Sequence, residues 1–382
     1  MADNEIKNAD ELSVNKPRKT AATAKKKTTP SAKRSATAKK SIVKKDDVTV
    51  TDNLKIDYEI TFGHSILFVA SEANPFAGTG GLADVIGSLP KNLALHDEFD
   101  IRVALPLYGS VSPAYRAMMR FEGNFNVPVA WRNQYCGLFS LKYEGVTFYF
   151  IDNEYYFKRD NLYGYYDDGE RFAFFSRAVL EAMRYIDYYP DIIHCHDWQT
   201  ALTVIYLKTI YSSENKFNSV RALFTIHNIE YQGKYGHELL QDLFGLPESC
   251  RQIVDYDGAI NLMKGAIQLA ERFSTVSKTY AEEIKNPYFA HGLEYMTNAN
   301  EYKLCGILNG IDESLYNPST DDKIFAKYSV NDLSGKAVCK EELQKMLALP
   351  VKKEVPLIAV ISRLVPAKGL DLIKCVFEEL LS

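Results

Sequence analysis

The chain has 382 residues, of which 46% are apolar, 12% aromatic and 25% charged, enough for two or three domains with sizeable buried cores. That balance excludes a chain disordered throughout, a collagen and a disulfide scaffold. No apolar run reaches the roughly 20 residues of a membrane helix, so a water-soluble globular protein is expected.

The net charge of −4 is unevenly divided. Met1–Lys45 holds 13 Lys/Arg against 4 Asp/Glu, while the remaining 337 residues carry 32 against 45, a balance of −13. An acidic body attracts polyanions poorly, so no nucleic-acid partner is expected for it. Residues 1–56 read as a disordered basic low-complexity arm, because a Lys/Ala/Thr/Ser tract cannot bury enough apolar surface to offset its ordering entropy. A solvated tail, a nucleic-acid or anionic-surface binder and a plastid-type transit peptide are its three readings, although Asp3, Glu5, Asp10 and Glu11 count against the last. No apolar stretch of secretory type follows Met1. Cys136, Cys195, Cys250, Cys305, Cys339 and Cys375 form no CxxC pair and no metal-like cluster, which suits a reducing cytoplasm.

Order is expected from about Asp57. ILFVAS (66–71) reads as a buried strand, 81–96 as a helix in spite of Pro90, and IRVALPLY (101–108) as the next strand. The aromatic and β-branched stretch 135–153 predicts a hairpin turning at Glu144-Gly145. Apolar residues at Phe172, Phe175, Val179, Met183 and Ile186 recur at helical spacing over 168–189. A strand at 191–196, a helix at 198–211, a strand at 221–227 and a helix at 260–273 leading into STVS (274–277) complete the alternation. Such alternation predicts an α/β fold, a Rossmann-like parallel sheet with helices on both faces. After a polar helix-prone stretch (334–350), VPLIAVISRL and KGLDLIKCVFEELLS read as the first strand and helix of a second domain. One strand and one helix cannot close a core by themselves.

Five stretches can carry chemistry. Thr79-Gly80-Gly81 precedes a helix, where bare backbone N–H groups and the helix terminus favour an anion; simple turn chemistry is the alternative. HCHDWQTA puts His194 and His196 on one face of a strand, as a hydrogen-bonded His/Asp cluster or, less readily, a metal pair with no third ligand in view. TIHNIEYQG places His227 and Asn228 at another strand's carboxyl end, where open parallel sheets bind ligands. ILNGID (307–312) is the fourth. SRLVPAKGLD (362–371) is the fifth, with Arg363 and Lys368 flanking a turn as a phosphate clamp or as two solvated cations.

Together, SEANPFAGTGGLADVIGSLP, YGYYDDGERFAFFSRA, PDIIHCHDWQT, FTIHNIEYQG, STVSKTYAEEI, GILNGIDESLYNP and AVISRLVPAKGLDLI resemble the bacterial glycogen synthases and plant starch synthases, retaining glycosyltransferases of GT-B architecture. The resemblance spans about residues 62–382. It implies an N-terminal acceptor-side domain (62–340), a linker (341–354) and the start of a nucleotide-side Rossmann domain (355–382) truncated after its first βα unit. The implied reaction moves glucose from ADP-glucose or UDP-glucose to the non-reducing end of an α-1,4-glucan such as glycogen, in the cytoplasm or, alternatively, a plastid, with no cofactor, metal or membrane. The diphosphate would leave from the face on which the acceptor hydroxyl attacks.

Carried over by position, the resemblance makes His227 the catalytic histidine, with Glu72 and Asp197 beside it. Thr79, Gly80, Gly81, Asp84 and Asn309 face the donor, and Arg363 and Lys368 neutralise its departing diphosphate. Tyr165 and Asn228 complete the substrate side. Gly78 stands where the family usually has a lysine that contacts the donor phosphate. The family's second domain continues well past Ser382, so this chain is expected to be an incomplete, inactive fragment; a non-catalytic α-glucan-binding module is the alternative.

Overall fold

The computed structural model describes residues 63–365 and 368–381. The chain divides into two units, residues 1–59 and 60–382, and all the described residues lie in the second. The basic arm and the expected onset of order near Asp57 lie outside the described residues.

A nine-stranded sheet forms the core of the second unit. Its strands are β1 (His64–Val69), β2 (Phe99–Pro106), β3 (Arg120–Val129), β4 (Arg132–Tyr143), β5 (Val146–Asp152), β6 (Ile192–His196), β7 (Arg221–Ile226), β11 (Arg272–Thr275) and β12 (Leu304–Gly306). Between β7 and β11, the short strands β8 (Lys234–Tyr235), β9 (Asp255–Tyr256) and β10 (Ala259–Asn261) make a small separate antiparallel sheet. The order across the main sheet is β12-β11-β7-β6-β1-β2-β5-β4-β3.

Seven of these strands, β12 through β5 in that order, pair in parallel, as the alternating pattern predicts. The edge departs from that expectation. β4 and β5 form the predicted hairpin, whose turn holds Glu144 and Gly145 at φ 47° and 84°, and β3 extends it as an antiparallel edge strand. Right-handed crossovers leave β1 toward β2 and β6 toward β7 in opposite directions, so their helices cover opposite faces. The chain therefore reverses its winding between β1 and β6, and their carboxyl ends flank a crevice.

The helices follow the predicted ones with shorter ends: Gly81–Leu93, Asp168–Tyr185, Trp198–Lys208, Leu262–Leu269 and Ser334–Met346. Pro90 sits in the last turn of its helix, where its missing N–H costs one bond and the helix ends soon after. Asp168–Tyr185 is buried nearly all round, with Phe172, Phe174, Phe175, Val179 and Leu180 in the core, so it is a central helix and not merely an amphipathic one. It packs against Trp198–Lys208 on one side and the β3–β4–β5 edge on the other.

The strand expected over 356–365 is not formed. That stretch is irregular, and Ile358, Val360, Ile361 and Leu364 are exposed. A strand exists through its ladder, and among the described residues no neighbouring strand meets this one, so β propensity alone does not hold it. The helix that follows, Leu370–Leu381, does form, with Leu372, Val376, Phe377 and Leu380 exposed.

Candidate active site

Three connections converge at the carboxyl ends of β1, β6 and β7. The first runs from β1 into helix Gly81–Leu93. Glu72 is buried at its start and accepts two hydrogen bonds from Thr79, from the backbone N–H at 2.5 Å and the hydroxyl at 2.8 Å. The loop is closed again by Asn74, whose amide donates to Asp84 at 2.7 Å. Gly78 is tightly enclosed: a Cβ there would meet Ala83 Cβ at 2.5 Å and Asn74 Oδ1 at 2.8 Å. Gly80 and Gly81 are the reverse, with nothing within 4 Å of a Cβ. The helix N-terminus they form is thus open to a ligand's approach, with its free N–H groups bare.

The second connection is a single residue, Asp197, between β6 and helix Trp198–Lys208. It takes φ 56° and ψ 178°, a region that is essentially glycine's. The neighbours hold it there. Its N–H donates to Thr225 O at 3.0 Å, and its Oδ1 accepts the backbone N–H groups of His227 at 2.7 Å and Asn228 at 3.4 Å. Burial pushes the Asp197 carboxyl up, while His227 and those N–H donors pull it back. A strained carboxylate spanning two strand ends is a feature of sites more than of scaffolds.

The third connection is the loop after β7. His227 and Asn228 are half-buried at its start, and its backbone is pinned by Tyr280, whose hydroxyl accepts the Ile229 N–H at 3.0 Å. Gln232, itself bonded to Asn261 at 2.7 Å, donates to Ile229 O at 3.0 Å. His227 Nε2 lies 3.0 Å from Nδ1 of the buried His196. The His196 and His194 rings lie tilted against each other with centres 4.1 Å apart, on the shared face that their spacing predicts. His194 Nε2 bonds Thr225 Oγ1 at 2.7 Å, and Thr225 bonds Ser274 Oγ at 2.8 Å. The pair is therefore hydrogen-bonded to other side chains. Burial lowers both imidazoles, that of His194 to about 3, so both are neutral.

A cleft of about 1000 Å³ opens beside these loops, between helix Gly81–Leu93 and the loop Ile307–Tyr316. Gly81, Asp84 and Asn309 line it together, although Asp84 and Asn309 are 225 positions apart. Its floor is held by Asp312, which Lys91 pairs at 2.5 Å and the Ser314 N–H and hydroxyl bond at 3.0 and 2.6 Å. The lysine and those donors hold the Asp312 carboxyl well below the usual carboxylate range. Sequence reading missed Lys91 and Asp312 as a pair; only the motif ILNGID pointed to one of them.

The Tyr165 ring is flanked by the Arg159 and Arg171 guanidiniums, each 4.9 Å from its centre. Arg363 and Lys368 are exposed, and neither side chain makes a hydrogen bond or ion pair with the crevice.

The reversed winding, the open helix N-terminus and the strained Asp197 backbone make a Rossmann-like sheet with a ligand crevice, and the match to a starch synthase structure gives it the GT-B glycosyltransferase fold. The comparisons with known proteins sharpen that class. The sequence model of the starch synthase catalytic domain matches residues 65–299. Glycogen synthase of Clostridium novyi (strain NT) is 49% identical over 320 residues, covering 83% of this chain and 67% of that protein. That of Anoxybacillus flavithermus is 46% identical over 319 residues, covering 83% and 66%. Among solved structures, the catalytic domain of starch synthase IV from Arabidopsis thaliana, bound to ADP and acarbose, matches with a TM-score of 0.77 and 33% identity, covering 84% of this chain and 66% of that one. The chain belongs to the bacterial glycogen synthase and plant starch synthase family, and it spans about two thirds of the length of these relatives.

Proposed function

We propose that this chain is the acceptor-side part of a retaining glucan synthase, which transfers glucose from ADP-glucose or UDP-glucose to the non-reducing end of an α-1,4-glucan. The observation that carries the reading is the convergence of Glu72, Asp197 and His227 at the reversal of the sheet, beside a helix N-terminus left bare by Gly80 and Gly81. A leaving nucleoside diphosphate gathers negative charge, and backbone N–H groups with fixed cations stabilise it as the bond breaks. Gly80, Gly81, Asp84 and Asn309 then face the donor, and Tyr165 and Asn228 the sugars. Arg363 and Lys368 take the diphosphate when residues 355–382 stand as the first part of a nucleotide-side domain. The Arabidopsis structure, bound to ADP and acarbose, supports a nucleotide and a sugar as the ligands. The bacterial relatives and six free cysteines support a place in the cytoplasm.

One observation favours a second reading. The groups Glu72, Asp197, His227 and Asn228 all lie on the acceptor-side part, whose surface acts alone in the alternative of an α-glucan-binding module. The deciding experiment is glucose incorporation into glycogen from labelled ADP-glucose and UDP-glucose, by the 382-residue chain and by a version extended through a second Rossmann domain. Transfer by the extended version only, falling at least about 100-fold in His227→Ala, supports the synthase and an incomplete chain. No transfer by either, with glycogen still bound by the short chain, replaces it with the binding module.

A further inference from the structure

We propose that His196 is a positioning residue for His227: its Nδ1–H donates to His227 Nε2 and so fixes the neutral His227 with its proton on Nδ1. The two nitrogens are 3.0 Å apart, and only one of them can carry the proton between them.

The choice follows from what surrounds His196. Its ring is buried, packed 4.1 Å from the His194 ring centre and stacked at 5.9 Å on Phe68. Its backbone is locked by Thr200, whose hydroxyl accepts the His196 N–H at 2.7 Å and donates to the His196 carbonyl at 2.8 Å. Its other nitrogen, Nε2, is buried with no hydrogen-bond partner among the described residues. A neutral imidazole has one N–H and one lone pair. If His227 were the donor, the His196 proton would sit on Nε2 as a buried N–H with nothing to accept it. If His196 is the donor, the orphan is only a lone pair, and native structures tolerate unsatisfied acceptors better than unsatisfied donors. A doubly protonated His196 is excluded by burial and by the His194 and His227 imidazoles beside it. The carboxylate of the next residue, Asp197, is turned to the His227 backbone N–H.

The consequence lies at His227 Nδ1, which no described residue bonds. As an N–H it can hold a hydroxyl or phosphate oxygen of a ligand, and it cannot accept a ligand's proton. That consequence rests on the proposed transferase; the tautomer itself does not, and it is measured without donor or acceptor.

The test is the two-bond 1H–15N spectrum of the 15N-labelled chain near neutral pH, which distinguishes the two tautomers. Seven histidines contribute, and His227→Gln identifies the His227 signals by their loss. The expected result is the Nδ1–H pattern at His227. His196→Asn, whose carboxamide nitrogen stands near the lost Nδ1, keeps it, and His196→Leu releases His227 to a mixture of tautomers. An Nε2–H pattern at His227 in the unmodified chain overturns the proposal, as does an unchanged pattern in His196→Leu. Should His196→Leu fail to fold, the unmodified chain and His196→Asn decide. Absence of glucose transfer by the version extended through a second Rossmann domain, with the Nδ1–H tautomer present, would count against the transferase and leave the role of His196 standing.

Discussion

The wall built from β1, β6 and β7 and the segment carrying Arg363 and Lys368 are assigned to one site by resemblance, yet they are held in opposite ways. In the wall, Glu72, His194 and His196 are each buried and tied to a neighbouring strand or loop, and Asp197 is held in a backbone conformation that only such ties sustain. Around Arg363 the apolar side chains face outward and no ladder forms. Precise placement of polar groups needs packed neighbours on every side, and sequence motifs alone do not provide them.

The comparison is broken most directly by truncating one phenylalanine in each region. Phe68→Ala, beneath His196, is expected to cost about 3–5 kcal/mol of stability in urea unfolding, whereas Phe377→Ala, 51% exposed, should stay within about 0.5 kcal/mol. Equal losses would mean that the C-terminal helix is packed after all.

Acid probes the same wall through its histidines. His194 is held neutral, with its value lowered from 6.5 to about 3, and His196 is lowered too. The unfolded chain takes up those protons as pH falls below 6.5 and the folded chain does not. The stability they contribute is therefore complete above 6.5 and lost progressively on acidification, by about 1.4 kcal/mol per pH unit for each histidine. Between about pH 6.5 and 4.5, above the main carboxylate range, His194→Asn should show a flatter decline of unfolding free energy than the unmodified chain. Parallel declines would show that His194 is already charged in the fold.

Within the β1 loop, Gly78→Ala should destabilise by about 1–3 kcal/mol through overpacking against Ala83. Gly80→Ala, in extended backbone and open space, should leave the midpoint within about 0.5 kcal/mol while weakening nucleotide-sugar binding measured by calorimetry. A Gly78→Ala chain as stable as the parent would remove the packing reason for glycine at that position. The smallest contrast is at Asp197. Both Asp197→Ala and Asp197→Gly lose the carboxylate, but the glycine relieves the strain and should be the more stable by about 1 kcal/mol or more. The opposite order in thermal unfolding would show that the backbone relaxes.

Much of the fold was legible because its signals are local. Short apolar strands alternating with helices, and aromatic arms around Glu144-Gly145, identify β1, β2, β5, β6, β7 and the hairpin. The edge strand β3 escaped because most of its residues are not buried and Gly123 and Pro128 interrupt it. The stretch 356–365 misled in the other direction, since β-branched residues mark what a strand would bury but not whether a partner strand is there. The site was legible as motifs: HCHDW and TIHN each point to a strand's carboxyl end. The pairing of His196 with His227 and of Lys91 with Asp312 joins residues 31 and 221 positions apart, and no local pattern carries either contact.

The sequence by itself determined the α/β alternation, the acidic body, the family motifs and the candidate groups, because composition and periodicity act within one element. Tertiary structure alone decided which of those groups meet. The order β7-β6-β1-β2 sets the crevice, burial keeps His194 and His196 neutral, and the ties from β6 and β7 hold Asp197 where an isolated chain would not stay. Each of these depends on neighbours distant in sequence, whose desolvation and hydrogen bonds exist only after the sheet has closed around them.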